Sequence, residues 1–391
     1  MKVDKLLSLI PEEILTQLAL ETNVDRYSKK LQGEVIFKLM LHCIISHKNN
    51  SLRTMESAYE SMVFQLLNQK HQRNGIRFSS ISERLSSIEV SYFEKLFQSC
   101  VTSYKNIIGK ETDNIIRFDS TIVSLSTNLI KIGYQLNGGS AQVKQLKFTV
   151  GYTDIPEVVH FYHDRAYTSE NTALKKTIIE NIDLHDNAVI RVFDRGITAR
   201  KTYDELTNKS LSFVSRISAN AIAEEVSLNA DISAEKPIYT ASLKIVSDRW
   251  CYLFSANKKS KHPVRCIEAY RINNNEKLVF VSNIADLTST EITEIYKRRW
   301  DIEVFFKFIK QLLNFSHLVN RSENGVQVML YVTMIAAILL EAYKKQHKLS
   351  GYKIPRQKLA EELEKEITKH IIVLCGGNPD KLDDLLSNKS P

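Results

Sequence analysis

The sequence predicts an α/β protein: a mixed sheet with flanking helices, a helical amino-terminal region before it and a β-rich insertion within it. Three observations carry that expectation. Apolar residues recur at helical spacing from the start to about Lys110, as in Ile36, Leu39, Met40, Cys43 and Ile44. Three runs rich in Ile, Val, Phe and Tyr then follow, at 114–126, 143–153 and 157–166, separated by turn-like segments such as Asn137-Gly-Gly-Ser. Helical and strand-like stretches alternate after that, 169–182, 188–193, 198–208 and 211–217, and the order β-β-β-α-β-α-β is that of a mixed sheet with helices on its faces. The expected regions are 1–110, 111–343 with an insertion at 218–284, and a helical tail at 344–391.

Composition excludes several classes. With 391 residues, 43% hydrophobic, 25% charged and only 12 Gly and 7 Pro, the chain is neither disordered nor a low-complexity repeat. Its 53 Lys plus Arg against 45 Asp plus Glu give a formal charge of +8, a mildly basic balance. The five cysteines are odd in number, far apart and never spaced C-x-x-C, so reduced thiols are expected rather than a zinc or redox pair. The start, MKVDKLLSLIPEEIL, mixes both charges into a short apolar stretch and has no small-residue cleavage site, so no signal peptide is expected. The apolar stretch 326–340 contains Gln327, meets Glu341 at once and falls short of the roughly 20 residues a membrane span needs, which predicts a buried core helix.

Taken in order, the helical region holds Phe78-Ser-Ser-Ile-Ser-Glu-Arg-Leu after a basic stretch at 69–77. A serine-capped helix from Ser80 or Ser82 is expected there, part of either a DNA-binding unit that includes Arg73, Arg77 and Arg84 or a structural bundle. In the insertion, 238–246, 249–255, 264–272 and 277–281 alternate like hairpin strands with Asn273-Asn-Asn as a turn. Lys258, Lys259, Lys261, His262 and Arg265 form a basic loop suited to a phosphate backbone, or a solvated hairpin tip. A long helix is expected over 289–313, then the apolar helix, then a polar helical tail broken at Gly376-Gly-Asn-Pro.

Acids inside apolar strands call for an explanation, because burying a charge is costly. Asp119 stands within Ile115-Ile-Arg-Phe-Asp-Ser-Thr-Ile-Val, and Asp194 ends Val189-Ile-Arg-Val-Phe and opens Asp-Arg-Gly. If the first and fourth strands are neighbours, the two carboxylates converge on one rim, where paired acids are natural ligands of Mg²⁺. A salt bridge for Asp119 and a turn or cap role for Asp194 are the alternatives. The long helix offers Glu291, Glu294, Asp301 and Glu303 as a third acid. At about 100° per residue from Tyr296, Arg299 falls near 300°, Lys310 near 320° and Glu303 near 340°. The apolar set Ile292, Ile295, Ile302, Phe306, Ile309 and Leu313 centres at about 250°, whereas Asp301 and Glu294 fall near 140° and 160°. Glu303 is therefore selected, on an arc bordering the buried stripe. A simple intrahelical pair would explain Arg299 and Glu303 but not the shared arc of Tyr296 and Lys310.

Tyr296-x-x-Arg299-x-x-x-Glu303, followed by six residues and Lys310, resembles the Y-R-E-K signature of the insertion sequence four family of DDE transposases. Asp119 in Asp-Ser-Thr and Asp194 in Asp-Arg-Gly stand where that family has its first two acids, and the resemblance covers about 114–340, insertion included. It implies a ribonuclease-H-like core in which Asp119, Asp194 and Glu303 hold two Mg²⁺ ions, with Mn²⁺ able to substitute. The implied activity is metal-dependent cleavage and strand transfer of the element's terminal repeats, by cut-and-paste. Implied partners are double-stranded DNA, as element ends and target, and a second copy of the chain in a synaptic homodimer, in the bacterial cytoplasm and without a membrane. Tyr296, Arg299 and Lys310 would contact DNA. Two other readings remain open at this point, a ribonuclease-H-like nuclease that cuts without joining and a retired transposase acting as a DNA-binding repressor. Trp250 and Trp300 could stack on a base or simply pack, and His160 and His163 beside Asp164 lack a third spaced ligand.

Overall fold

The computed structural model describes residues 9–47, 50–67, 75–109, 114–126, 134–135, 143–162, 165–167, 169–180, 188–226, 237–255, 258–311, 313, 320 and 322–387. The chain divides into two compact units, one formed by Met1–Lys110, Ser126–Ile132 and Lys307–Pro391, the other by Glu111–Leu125 and Gly133–Phe306. This division does not follow a boundary at 343, since the chain from Lys307 onward belongs with the amino-terminal helices.

The first unit opens with α1 (Glu12–Thr22), α2 (Gly33–Ser46), α3 (Leu52–Glu60), α4 (Met62–Leu67), α5 (Phe78–Ser87) and α6 (Val90–Ile107). The helical spacing seen in the sequence is the buried set of α2, where Val35, Ile36, Leu39, Met40, Cys43 and Ile44 are all enclosed. The expected serine cap of α5 is absent. That helix starts at Phe78 after an extended Arg77, and no side chain caps it. Arg84, expected on a basic face, instead donates through Nε to the Leu31 carbonyl at 2.8 Å and through Nη2 to that of Val24, so it ties two loops together. Arg73 lies outside the described residues.

The second unit is built on one sheet. Its strands are β1 (Ile115–Ser126), β2 (Tyr134–Gln135), β3 (Val143–Tyr152), β4 (Pro156–Tyr162), β5 (Ile190–Phe193), β6 (Phe213–Ile217), β7 (Ala223–Glu225), β8 (Ile238–Tyr239), β9 (Leu243–Ser255), β10 (Lys258–Lys259), β11 (Val264–Arg271) and β12 (Lys277–Ser282). Helix α7 (Glu170–Glu180) precedes β5 and α8 (Arg200–Asn208) precedes β6. β4 pairs with β3, and from there the order runs β3-β1-β5-β6. β3 and β4 are antiparallel, while β1, β5 and β6 are mutually parallel. This is the ribonuclease-H-like arrangement. The insertion is not a separate layer, because β12 pairs antiparallel with β6 and carries the sheet on through β11, β9 and β10. Pairing β12 there satisfies the backbone groups that β6 would otherwise leave at an edge.

Alternation along the strands splits the core in two. Ile116, Phe118, Phe193, Phe213 and Val281 pack on one face with Leu174 and Ile178 of α7 and Tyr203 and Leu206 of α8. Ile115, Val192, Val214, Ile267 and Phe280 pack on the other with Ile292, on a helix running Ser289–Lys297, which we label α9. The expected long helix is two helices, α9 and α10 (Trp300–Gln311), joined through Arg298 and Arg299. At the joint the backbone bonds shorten to a three-residue step, Arg299 N–H to the Tyr296 carbonyl at 2.9 Å and Asp301 N–H to that of Arg298 at 3.1 Å.

Helices α11 (Glu323–His347), α12 (Lys353–Leu374) and α13 (Asp380–Ser387) complete the first unit. The apolar stretch is a core helix as expected, but not because it is short: α11 has 25 residues and is long and apolar enough to cross a membrane, and 94% of its apolar window is buried. Its start is fixed by Asn320, which donates to the Ser82 carbonyl at 2.9 Å and accepts from the Ser322 N–H at 2.7 Å. A Cβ on Gly325 would stand 2.6 Å from the Asn320 side chain, so only glycine fits beneath it. Of the five thiols, Cys43, Cys100, Cys251 and Cys266 are free and buried and Cys375 is free and exposed.

Replacing Asn320 with Ala should remove its hydrogen bonds to the half-buried Ser82 and Ser322, at a cost of about 1 kcal/mol. A urea titration followed by circular dichroism should show that loss, and an unchanged midpoint would mean Asn320 is no clamp.

Candidate active site

The parallel register of β1 and β5 sets Phe118 opposite Phe193. One residue further along stand Asp119, within β1, and Asp194, just past the end of β5, so the two acids stand side by side on neighbouring strands. By strand parity Asp119 shares the face of Ile115 and Arg117, the face that α9 covers. Its side chain is 20% exposed. Oδ1 accepts the Ser120 N–H at 2.7 Å, and Arg299 Nη1 lies 3.5 Å from Oδ2. Burial above all, with Asp194 and Glu170 as negative neighbours, pushes the Asp119 carboxyl from its ordinary 3.8 up to about 7, against the pull of Ser120 and Arg299. The Asp194 carboxylate accepts the Gly196 N–H inside the Asp-Arg-Gly turn. A Cβ on Gly196 would come within 2.9 Å of the Glu170 Cγ and 3.1 Å of Asp194 Oδ1, which is why this turn needs glycine.

The third acid arrives on α10. Glu303, 33% exposed, pairs with Arg299 Nη2, so one guanidinium faces both Asp119 and Glu303. Asp301 is aimed elsewhere, although the break at Arg298 and Arg299 removes the single-helix geometry used to compare it with Glu303: it lies 3.3 Å from the buried Arg117, which also donates to the Thr153 carbonyl at 2.7 Å and to that of Arg298 at 3.2 Å. Glu291 is the acceptor of a capping box with Thr288, and Glu294 pairs with Lys297 at 3.1 Å. Phe305 stacks on Tyr152 at 4.8 Å and Phe306 meets Phe148 edge-on at 6.0 Å, contacts that seat α10 against β3. The Tyr296 ring packs against Phe280 at 5.3 Å, with the guanidinium carbons of Arg216 and Arg299 each 5.8 Å from its centre. It lines a cleft of about 570 Å³ shared with Arg216, Arg271, Lys297, Arg299 and Trp300.

The Transposase DDE domain model matches residues 110–339. The chain belongs to that family. A protein of Synechocystis sp. carrying the name of a transposase for insertion sequence element IS4SA is 26% identical over 290 residues, 68% of this chain and 74% of the relative. One of Geobacillus stearothermophilus, named for insertion sequence element IS5377, is 23% identical over 275 residues, 67% of this chain and 66% of the relative. Among solved structures, a piggyBac transposase synaptic complex with hairpin DNA aligns at a TM-score of 0.48 and 13% identity, covering all of this chain and 85% of that one. The family resemblance carried by Tyr296, Arg299, Glu303 and Lys310 is borne out.

The transposase places its other expected site residues unevenly. Lys258, Lys259 and Lys261 are exposed, with Lys259 paired to Glu224 at 2.7 Å and set over the Tyr252 ring at 4.2 Å. Asp204 accepts the N–H groups of Lys261 and His262, each at 2.9 Å, and so anchors this loop. Arg265 does not belong to it. It alternates with Ile267 and Ala269 on the buried face of β11, is 3% exposed, and its Nε and Nη2 meet Asp248 at 2.9 and 2.6 Å. Its Nη1 donates to the Ile284, Ala285 and Leu287 carbonyls, so this buried guanidinium is turned to the protein interior and not to a phosphate. Trp300 is 62% exposed and Trp250 is half-buried. Lys310 is half-buried, in the stretch of α10 that belongs to the helical unit. His163 and Asp164 lie outside the described residues. Sequence reasoning missed Glu170 and Lys147, which form an ion pair of 2.6 Å beside Asp119.

Among the described residues no three His, Cys, Asp or Glu side chains already stand as a metal cage. The donor set nonetheless fits a hard divalent cation: all three acids offer oxygens, and Asp119, raised chiefly by burial, is a carboxyl whose charged form lacks solvation that a cation would supply.

Two outcomes follow for stability. Between pH 4 and 7 folded Asp119 holds a proton that the unfolded chain has released, so in chelator this group costs stability as pH rises through that window, by at most about 4 kcal/mol. Urea midpoints across the window should show a slope that Asp119→Asn removes; equal slopes would contradict the raised carboxyl. Arg265→Ala should strand a buried Asp248 and cost about 3–5 kcal/mol, visible as a lowered melting temperature, whereas loss of DNA affinity at full stability would return Arg265 to the DNA surface.

Proposed function

We propose that this transposase binds the terminal DNA of its own insertion sequence and cuts and joins it at Asp119, Asp194 and Glu303. The observation that carries the reading is the convergence of three acids: the parallel register sets Asp119 within β1 beside Asp194 at the end of β5, and α10 brings a third that shares Arg299 with the first. Two Mg²⁺ ions, or Mn²⁺ in their place, would be held by these three carboxylates and would supply activation of the attacking water or 3′-hydroxyl and stabilisation of the leaving oxygen. Everything else is the work of the chain's own groups. Asp119, whose buried carboxyl is raised to about 7 and is therefore partly protonated near neutrality, would hold a cation as the carboxylate and release that proton to solvent. Arg299 has the planar fork that grips a phosphate through two bonds, and Lys310 is a flexible point charge. Tyr296 has its ring centre 5.8 Å from the Arg299 guanidinium carbon and borders the cleft through which a DNA backbone would pass. Lys258 and Lys261 present exposed ammonium groups on the anchored loop, where they would attract phosphates without reading sequence.

End recognition has to come from side chains that reach base edges, which we assign to the helical unit, with a homodimer bringing two ends together for cut-and-paste strand transfer. In the cell this would take place on chromosomal DNA in the bacterial cytoplasm.

Incubating the full chain with its own element's end DNA and Mg²⁺, and mapping nicks and joints at nucleotide resolution, tests the reading. Asp119→Ala, Asp194→Ala and Glu303→Ala should each lower cleavage roughly a thousandfold, the scale of several kcal/mol in a transition state, with end binding kept. A folded Asp301→Ala as damaged as Glu303→Ala would refute the choice of third acid. Nicks without joints would leave a nuclease, and binding without nicks a repressor.

Lys310→Ala should weaken DNA binding and reduce the slope of log affinity against log salt by about one. An unchanged slope would take Lys310 off the DNA.

A further inference from the structure

Ser120 follows Asp119 on β1 and therefore points to the opposite face of the strand. Its hydroxyl donates to Glu170 Oε2 at 2.9 Å and lies 3.1 Å from the Thr149 hydroxyl. Glu170 opens α7, where the positive end of the helix dipole favours a carboxylate. Its other oxygen, Oε1, takes Lys147 Nζ at 2.6 Å, and that lysine is only 2% exposed, in the middle of β3. Burying such a pair carries a desolvation cost that packing alone would have avoided with two apolar residues.

The two ends of Glu170 reach the two groups that hold the first acids. Through Ser120 it grips the residue whose N–H binds Asp119 Oδ1 at 2.7 Å. Along its stem it backs Gly196, whose N–H binds the Asp194 carboxylate, with so little space that a Cβ there would stand 2.9 Å from Glu170 Cγ. Both Glu170 oxygens are already engaged, so the side chain acts through its neighbours.

We propose that Glu170, with Lys147 as its counter-charge, is a positioning residue that fixes the orientation of Asp119 and Asp194 for cation binding and hence for cleavage. The inference rests on the proposed reading of those acids as metal-holding groups. Partners in the outer shell of a metal site orient the ligands, and removing one lowers metal affinity by about ten- to a hundredfold.

The test uses the full chain stripped with chelator, Mn²⁺ alone as the probe, and the Mn²⁺ concentration that gives half the maximal rise in melting temperature as readout. Single-turnover nicking of the element's own end DNA is then followed against Mn²⁺. Glu170→Ala should raise both midpoints by about tenfold or more, and Glu170→Gln, which keeps an oxygen for Ser120, should recover part of the loss. Ser120→Ala leaves the Glu170 and Lys147 charges paired and removes the link from Glu170 to β1 together with the Thr149 contact, so it too should raise both midpoints; it decides the matter if Glu170→Ala fails to fold. Midpoints equal to wild type in a folded Glu170→Ala chain, or in Ser120→Ala where that is the deciding variant, overturn the inference. If Asp119→Ala abolishes a wild-type Mn²⁺ response that Glu170→Ala leaves intact, this inference falls while the proposed function stands. If the wild type itself shows no response to Mn²⁺, both fall.

Discussion

The parallel pairing of β1 with β5 is the constraint on which the catalytic unit depends. A parallel register that matches Phe118 with Phe193 brings Asp119, within β1, level with Asp194, the residue that follows β5, without any long loop having to place them. The same pairing buries the strands on both faces, as parallel sheets require. Helices must then cover each face, and the alternation along β1 dictates what each helix brings. On the Ile115 face α9 and the joint to α10 bring Arg299 to Asp119; on the Phe118 face α7 brings Glu170 to Ser120.

Gathering acids at a desolvated rim works against the folded state. Asp119 is the measure of it, since burial and two negative neighbours leave its carboxyl near 7 even with Arg299 at 3.5 Å. A guanidinium can face two carboxylates, but it offers a single charge, and here Glu303 holds it more closely than Asp119 does. On the proposed reading this residual imbalance is functional: a site whose acids were fully neutralised by arginine would have little left with which to attract a divalent cation. Arg117 shows the contrast. It carries the same charge on the same strand face, but its donors are committed to Asp301 and two backbone carbonyls, so it serves the joint between α9 and α10 and not the rim.

What was legible in the sequence follows one physical rule and its uneven use. A charge inside an apolar strand is costly, and that alone singled out Asp119 and Asp194. The same rule applies to Lys147 in Leu146-Lys-Phe-Thr-Val, which the search for acids passed over. Arg265 was read from its neighbours along the chain, Lys258 to His262, when its alternation with Ile267 and Ala269 points inward. The joint at Arg298 and Arg299 had no signal, since neither Pro nor Gly marks it and both flanks favour helix. Likewise nothing local says that β12 will pair with β6, because strand partners are settled by the whole sheet and not by either segment.

The helical unit illustrates the largest gap between local pattern and tertiary structure. Its amino-terminal helices looked self-sufficient, with an amphipathic α6 and a strongly apolar α2. Yet α11 is apolar around most of its circumference, which requires neighbours on every side. Those neighbours include α2, α5 and α6, and Asn320 fastens the start of α11 to Ser82 of α5. The first 110 residues and the last 85 thus share one core, and removing either set would strip the other of its apolar partner. End recognition, if it resides in this unit, belongs to helices whose positions are fixed by the opposite end of the chain. Single substitutions on exposed positions such as Arg77 can probe it, whereas truncation would unfold the reader along with the reading.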